Sequence, residues 1–177
     1  KVTDFETPPN DTFGAGNVPG QATDDFSSAW FLAKAIADNG GTVDTKSVQN
    51  ALIEWSKHAI FFDRFAGPTT RVAIKRFQGE EIPESGGVNL QSRQATNGSA
   101  MRISHIGMFN PGNLERTIEE SITVTMLTHN NYPALSGACA VSCAVSKALS
   151  PDADLYSVLQ AALYGAKEGE RRGREVA

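Results

Sequence analysis

Apolar residues recur three and four positions apart along most of the chain after residue 22, and this spacing is typical of helices with one buried face. No stretch alternates apolar and polar residues as a half-buried strand would. The pattern predicts seven helices, over residues 24–39, 45–60, 70–79, 98–106, 112–128, 132–149 and 153–167. The sequence therefore predicts an all-α protein, a compact bundle of several helices.

For two of these helices the sequence also predicts how deeply they are buried in the bundle. The first has apolar residues around a wide arc that includes Trp30, Ala33 and Ala37, which predicts that most of its surface is buried. The helix over 132–149 is crowded with Ala, Ser, Gly and Cys, and such small side chains let neighbouring helices come close. We therefore expect that helix at the centre of the bundle.

The segments between the predicted helices differ in character. Residues 1–22 are rich in Gly, Pro, Asn, Asp and Thr and predict irregular structure. Asp44 is the expected cap of the second helix, and FFDRFAGP at 61–68 interrupts the helical pattern. The polar stretch over 81–99 is long for a compact domain, and connections of that length are usually functional or disordered.

Composition fits one globular domain, which we expect to cover residues 1–177, and excludes several function classes. The chain is 40% hydrophobic and 20% charged, with a formal net charge of −4. It has no basic stretch that would indicate nucleic-acid binding, because the cations of EGERRGREVA at the C-terminus are mixed with acids. That segment is interpreted as a solvated helix end or tail. No apolar run approaches the ~20 residues that span a bilayer, so no membrane association is expected.

The two cysteines argue for a reducing compartment. Cys139 and Cys143 are four residues apart on a predicted helix, so they share a face, and no His or Cys partner at suitable spacing suggests zinc. We expect two small buried residues at a helix contact and a cytoplasmic protein.

Two adjacent acids, Asp24 and Asp25, stand at the start of the first helix and allow two interpretations. Acidic side chains at a helix start accept bonds from unpaired backbone N–H groups and suit the positive end of the helix. Together with Thr23 they also offer three oxygens of the kind that hard divalent cations bind. The residues alone favour capping and leave the metal site open.

Two further stretches are candidates for ligand binding. Asn97-Gly98-Ser99 heads a predicted helix, where exposed backbone N–H groups with no bulky side chain nearby can receive phosphate or ribose oxygens. Asn97 can also be a simple helix cap. His129 ends another predicted helix, where it is either a cation at the negative helix end or a group that faces a pocket.

The three stretches occur together and in a fixed order, and the combination resembles the ADP-ribosylglycohydrolase family. The matching segments are PGQATDDF at 19–26, ATNGSAMRISHIG at 95–107 and LTHNNYPALSGACA at 127–140. That family includes the dinitrogenase-reductase-activating glycohydrolases and related jellyfish lens crystallins. The resemblance implies an all-α bundle that uses two divalent cations, Mg²⁺ or Mn²⁺, to hydrolyse the bond between ADP-ribose and an acceptor such as an arginine side chain.

The resemblance also implies roles for individual residues. Metal ligands are implied at Thr23, Asp24 and Asp25, with the two acids as candidate catalytic residues, and ADP-ribose contacts at Asn97, Gly98, Ser99 and His129. An acid beside the cations can serve as general base, although both acids are expected to act mainly as ligands. Two departures are visible: Phe26 stands where the family usually has Thr or Ser, and His105 where it commonly has Pro. We expect Phe26 to remove a hydroxyl beside the metals.

The family's opening G-D-A-x-G segment and its closing G-D-T-D segment, which supplies other metal ligands, have no counterpart here. The chain is therefore expected to be partial, and a second polypeptide is a candidate source of the missing ligands. The expected partners are an ADP-ribosylated protein or small molecule. The alternatives are a non-catalytic member that is structural or binds ADP-ribose, as the crystallins illustrate, and a hydrolase for another N- or O-glycoside.

Overall fold

The computed structural model describes residues 4–82 and 95–176, and within them the regular structure is helical without strands. The α-helices are α1 (Asp24–Asp38), α2 (Thr45–Ser56), α3 (Ala59–Phe65), α4 (Pro68–Phe77), α5 (Ser104–Phe109), α6 (Leu114–Met126), α7 (Tyr132–Ala148) and α8 (Leu155–Val176), and a 3₁₀ turn, η1, spans Ala100–Arg102. The predicted all-α class is confirmed. No helix in the described part of the chain is long and apolar enough to cross a membrane.

The main core lies between the first four helices and the segment that follows residue 99. Helix α1 packs against α2, α3, η1 and α5, so it joins the two halves of the molecule. Leu32, Leu52, Trp55 and Ile106 are fully buried there, and each removes apolar surface from water. A smaller cluster around Ile118 joins α6 to α7.

Helix α7 occupies the central position predicted from its small residues, in contact with α8, α6, α5 and η1. Three glycines of α8 at four-residue spacing, Gly165, Gly169 and Gly173, face it. A Cβ built on Gly169 would lie 2.7 Å from the Leu135 carbonyl oxygen and 2.9 Å from Cys139 Cβ. Backbones this close leave no room for side chains at the crossing. Cys139 and Cys143 are buried free thiols, as expected.

Two predictions about the first two helices were wrong, one about where a helix ends and one about which side chains are buried. The helix expected over 45–60 ends at Ser56, since His58 has non-helical backbone angles (φ −94°, ψ 87°), and residues 59–65 then form α3 where a break was predicted. The wide apolar arc of α1 is not all buried. Trp30 is 51% exposed, because α1 turns its Leu32 side towards the core and leaves the indole at the edge.

Two predicted helix boundaries in the second half of the chain were also wrong. The helix predicted over 98–106 is instead a turn followed by η1 and then α5. The last helix runs to Val176 rather than ending near 167, and its end is not simply solvated. Arg172 pairs with Glu168 at 3.2 Å and with Glu115 of α6 at 2.5 Å, and the Arg174 guanidinium lies 3.9 Å from the centre of the Tyr132 ring.

Candidate functional site

One cleft of about 300 Å³ brings together residues from five separate parts of the chain. The first turn of α1 contributes Asp24 and Asp25, and the loop before η1 contributes Asn97 and Gly98. His129 lies at the corner between α6 and α7. The remaining walls are Phe13, Phe65, Gly67, Pro68, Thr69, Thr70, Thr96 and Met101. The acids, the glycine turn and the imidazole that the sequence singled out therefore share one cavity.

The two acids occupy the first positions of α1, but the local geometry is not that of an ordinary cap. Thr23 is the N-cap residue, and its side chain makes no capping bond. Its hydroxyl instead donates to Asp25 Oδ2 at 3.0 Å. The hydroxyl and the carboxylates thus form a cluster of oxygens at the helix start, next to the cleft.

A buried chain of hydrogen bonds holds this helix start in place. The Trp55 indole N–H donates to Ser27 Oγ at 3.0 Å, and that hydroxyl donates to the Thr23 carbonyl oxygen at 2.7 Å. Trp55 and Ser27 are both buried. The core of the protein therefore fixes the backbone from which both acids project.

Burial raises the pKa of Asp24 above its ordinary value, and the neighbouring charge of Asp25 raises it further. Two carboxylates held this close favour either a shared proton or a bound cation. Within the described residues no group of three or more His, Cys, Asp or Glu side chains could hold a metal ion. The oxygens that could contact a cation at this end of the cleft are those of Asp24, Asp25 and Thr23.

Gly98 is in contact with His129, and this contact requires a glycine. A Cβ at position 98 would lie 2.9 Å from His129 Nε2 and 3.0 Å from Cε1, closer than a side chain tolerates. Asn97 is exposed, and its carbonyl oxygen accepts from the Met101 N–H at 2.9 Å. The segment reaches the cleft as a tight turn, without the regular helix that was expected to begin at residue 98.

His129 is 1% exposed and hydrogen bonded through both ring nitrogens, to Thr96 Oγ1 at 3.0 Å from Nε2 and to Thr128 Oγ1 at 2.8 Å from Nδ1. Burial lowers the pKa of His129 to about 3, and the nearby Arg102 guanidinium contributes. The imidazole is therefore neutral at physiological pH. Of the two interpretations left open by the sequence, a pocket-facing group fits this environment and a helix-terminal cation does not.

Two residues lie outside the cleft: Ser99, which the resemblance implied as an ADP-ribose contact, and Phe26, which departs from the family pattern. Ser99 is buried and directs its hydroxyl to the Ala134 carbonyl oxygen at 3.5 Å, so it supports the loop from behind. Phe26 is 68% exposed and lines a separate apolar groove of about 330 Å³ with Trp30 and Phe61. Phe26 is not among the residues that line the cleft with Asp24 and Asp25.

Sequence reasoning missed Arg102, which lies beneath the cleft. Its guanidinium is 1% exposed, donates to Thr128 Oγ1, and approaches Thr70 Oγ1 at 3.4 Å. Burial lowers its pKa to about 10, and the charge of Asp24 opposes that shift. A lone arginine in the mostly apolar run AMRISHIGMF was the available signal.

The sequence also missed what holds the outer wall. Arg64 of α3 donates to Asn17 Oδ1 and to the Phe13 carbonyl oxygen, both at 3.0 Å. These bonds attach the irregular N-terminal segment to α3 and bring Phe13 against Phe65, with ring centres 5.7 Å apart. The apolar rim of the cleft depends on this attachment.

A sequence model of ADP-ribosylglycohydrolase matches residues 1–177. The chain belongs to the ADP-ribosylglycohydrolase family. Curated relatives include the uncharacterized protein YegU of Escherichia coli K12, 29% identical over 126 residues, and the ADP-ribosylarginine hydrolases Tri1 of Pseudomonas putida GB-1, 32% identical over 130 residues, and of Serratia proteamaculans 568, 30% identical over 129 residues. Each match covers 68% of this chain and 34–35% of the relative, so the matched part spans about a third of the relatives' length. No solved structure matches significantly.

His105, which stands where the family commonly has Pro, lies in an environment suited only to a neutral side chain. His105 is buried, and neither ring nitrogen has a hydrogen-bond partner among the described residues. Burial lowers its pKa to about 4. This histidine does not line the cleft, and it contributes to the packing of α5.

Proposed function

We propose that the protein hydrolyses the glycosidic bond between ADP-ribose and an acceptor group, with divalent cations held in part by Asp24 and Asp25. The observation that carries the proposal is the convergence of these acids, the Asn97-Gly98 turn and His129 on one cleft. Family membership supports the same reaction. Two relatives are named ADP-ribosylarginine hydrolases, which makes ADP-ribosyl-arginine the first substrate to test.

The oxygen cluster at the start of α1 fits Mg²⁺ or Mn²⁺, which prefer carboxylate and hydroxyl ligands. Asp24 and Asp25 would bind the cation, and the Thr23 hydroxyl oxygen retains lone pairs because it donates its proton to Asp25. Burial and the charge of Asp25 raise the pKa of Asp24, and a bound cation would stabilise its carboxylate. A bound divalent cation would lower the pKa of a water molecule and so supply a nucleophile for the ribose carbon at neutral pH.

The other cleft residues suit the rest of an ADP-ribose molecule. The Asn97 side chain and the backbone around Gly98 are accessible for polar contacts, while Phe13 and Phe65 offer an apolar surface to a base or sugar face. A carboxylate beside the cations can act as general base towards water. Asp24 and Asp25 are our candidates for that role in addition to binding cations.

Two carboxylates and a hydroxyl do not complete the shell of two cations, since each takes about six oxygens. We propose that the remaining ligands come from outside the described residues, on another part of the polypeptide or on a second one. This is in keeping with a chain that matches about a third of its relatives' length. The substrate would be an ADP-ribosylated protein or small molecule.

The direct test is turnover of ADP-ribosyl-arginine by the complete protein, with added Mg²⁺ or Mn²⁺ and again with a chelator. We expect release of ADP-ribose that the chelator abolishes. No release in the presence of metal would reject the proposed hydrolysis.

A variant pair tests the acids separately from activity. Asp24→Asn should weaken Mn²⁺ binding at least ten-fold, with a loss of at most ~1 kcal/mol in the free energy of unfolding, the size of a cap effect. The matched control is Asp38→Asn at the exposed other end of α1, where Asp38 pairs with Lys34. Equal Mn²⁺ affinity in both variants, with a lower melting point for Asp24→Asn, would favour capping.

A second candidate function is binding of ADP-ribose without hydrolysis. The absence of a three-ligand metal cluster among the described residues favours it for the chain by itself. Calorimetry with ADP-ribose, run beside the turnover assay, separates the two functions, because a pure binder gives heat of binding and no product.

A further inference from the structure

A continuous row of hydrogen bonds runs from the buried Arg102 to the cleft. Arg102 Nη2 donates to Thr128 Oγ1, which lies 2.8 Å from His129 Nδ1. The other ring nitrogen, Nε2, lies 3.0 Å from Thr96 Oγ1. Thr96 lines the cleft, whereas Arg102, Thr128 and His129 are buried. We call these four residues the Arg102–Thr96 row.

The direction of the protons along this row follows from its first member. A guanidinium can only donate, so Thr128 Oγ1 accepts from Arg102 and keeps one proton of its own. Among residues 4–82 and 95–176 the other hydrogen-bond partner of that hydroxyl is His129 Nδ1. If Nδ1 carried a proton, the buried Thr128 hydroxyl would have no acceptor in the described part of the chain, which is unfavourable. Thr128 therefore donates to Nδ1.

The same reasoning continues to the cleft. A neutral imidazole that accepts at Nδ1 carries its proton on Nε2, and Nε2–H donates to Thr96 Oγ1. The Gly98 N–H also points to this oxygen, at 3.4 Å. Thr96 Oγ1 thus receives two donors, and its hydroxyl proton has no acceptor within the row.

We propose that the Arg102–Thr96 row fixes His129 as the Nε2–H tautomer and makes the Thr96 hydroxyl a hydrogen-bond donor to an acceptor oxygen in the cleft. Thr96 is then a ligand-binding residue, and Arg102 and Thr128 are positioning residues that act through the imidazole. The chemical class of the partner is an oxygen that accepts, as a phosphate oxygen does. That this oxygen belongs to ADP-ribose rests on the proposed function.

The environment of the row supports a fixed direction. Arg102 is buried and permanently charged. Its guanidinium is separated from the His129 ring by two hydrogen bonds, and its positive charge opposes the addition of a second proton to that ring. Gly98 holds the imidazole from the other side, since there is no space for even a methyl group between them. The ring can neither charge nor move without breaking contacts on both sides.

The tautomer is measured directly by ¹⁵N NMR of the histidine ring in the 177-residue chain. We expect His129 to be neutral with its proton on Nε2, to stay so in Thr128→Ser, and to lose the single tautomer in Thr128→Val. The matched control is Thr123→Val at an exposed position of α6, which should leave the His129 signals unchanged. A His129 with its proton on Nδ1, or one with the same signals in Thr128→Val, would overturn the proposal.

The donor role of Thr96 is measured by calorimetry with ADP-ribose. Thr96→Val should weaken binding about ten-fold, the value of one hydrogen bond, and Thr96→Ser should restore it. Wild-type affinity in Thr96→Val would reject the donor role. If the wild-type chain binds no ADP-ribose, that result counts against the proposed function, and the NMR measurement still decides the tautomer.

Discussion

At the scale of single residues, the site depends on contacts that leave little freedom. Asp24, Asp25, Asn97, Gly98 and His129 were identified because the three stretches that carry them occur together in the order typical of the family, and the structure brings them to one cleft. The partners of these residues could not be identified in that way. Thr96 and Thr128 matter through hydrogen bonds to an imidazole, and such contacts leave no pattern in the spacing of residues.

The contact between Gly98 and His129 predicts the effect of a single methyl group. Gly98→Ala should displace the imidazole, break its bond to Thr96, and weaken ADP-ribose binding ten-fold or more, as measured by calorimetry. Gly137→Ala on α7 is the control, because the nearest atom to its new Cβ, in Ala100, would lie at an ordinary 3.8 Å. Equal affinities in the two variants would contradict this account of the cleft.

The bond between Trp55 and Ser27 predicts a coupling between the core and the acids. In a double-mutant cycle of Trp55→Phe and Ser27→Ala, urea unfolding should give a coupling free energy of about 1 kcal/mol, the usual worth of a buried hydrogen bond. Additive effects of the two substitutions would show that this bond does not stabilise the start of α1.

At the scale of helices, the spacing of apolar residues predicted the existence of the elements better than their ends. The segment 61–68 was predicted to interrupt the helical pattern, yet Phe62 and Phe65 pack against Trp55 and Phe13 and so stabilise α3. The glycines of α8 show another limit of prediction from helix propensity. They lower helix propensity, but they allow close packing on α7, and the helix continues past residue 167, where it was expected to end.

The glycine face of α8 predicts that a substitution favourable for helix formation will destabilise the protein. Gly169→Ala should lower the free energy of unfolding by about 1–3 kcal/mol, because overpacking outweighs the gain in propensity. Gln160→Ala, at an exposed position of the same helix, is the control and should change stability by less than about 0.5 kcal/mol. Thermal or urea unfolding of both variants measures the difference.

At the scale of the whole molecule, two buried neutral histidines link stability to pH. The pKa values of His105 and His129, about 4 and about 3, lie below the ordinary 6.5, so the unfolded chain binds more protons as the pH falls below about 6.5. The free energy of unfolding is therefore unaffected by these histidines above pH 7 and decreases as the pH falls below about 6.5. Each histidine should lower the free energy of unfolding by on the order of 2 kcal/mol at pH 5.

Urea unfolding at pH 7.5 and pH 5.0 measures how much the free energy of unfolding decreases on acidification. The variant His105→Leu shows how much of that decrease comes from His105. The variant should lose less stability between the two pH values than the wild type does, by the amount assigned to His105. The same loss in both proteins would mean that His105 is protonated equally in the folded and unfolded states.

The close packing of residue 98 against the imidazole has a consequence for ligands of different size. Atoms already at van der Waals separation cannot approach further, so this wall of the cleft resists compression. A ligand too wide for the cleft gains no room by pressing the turn against the imidazole. Discrimination by this wall therefore acts against ligands that are too large for it.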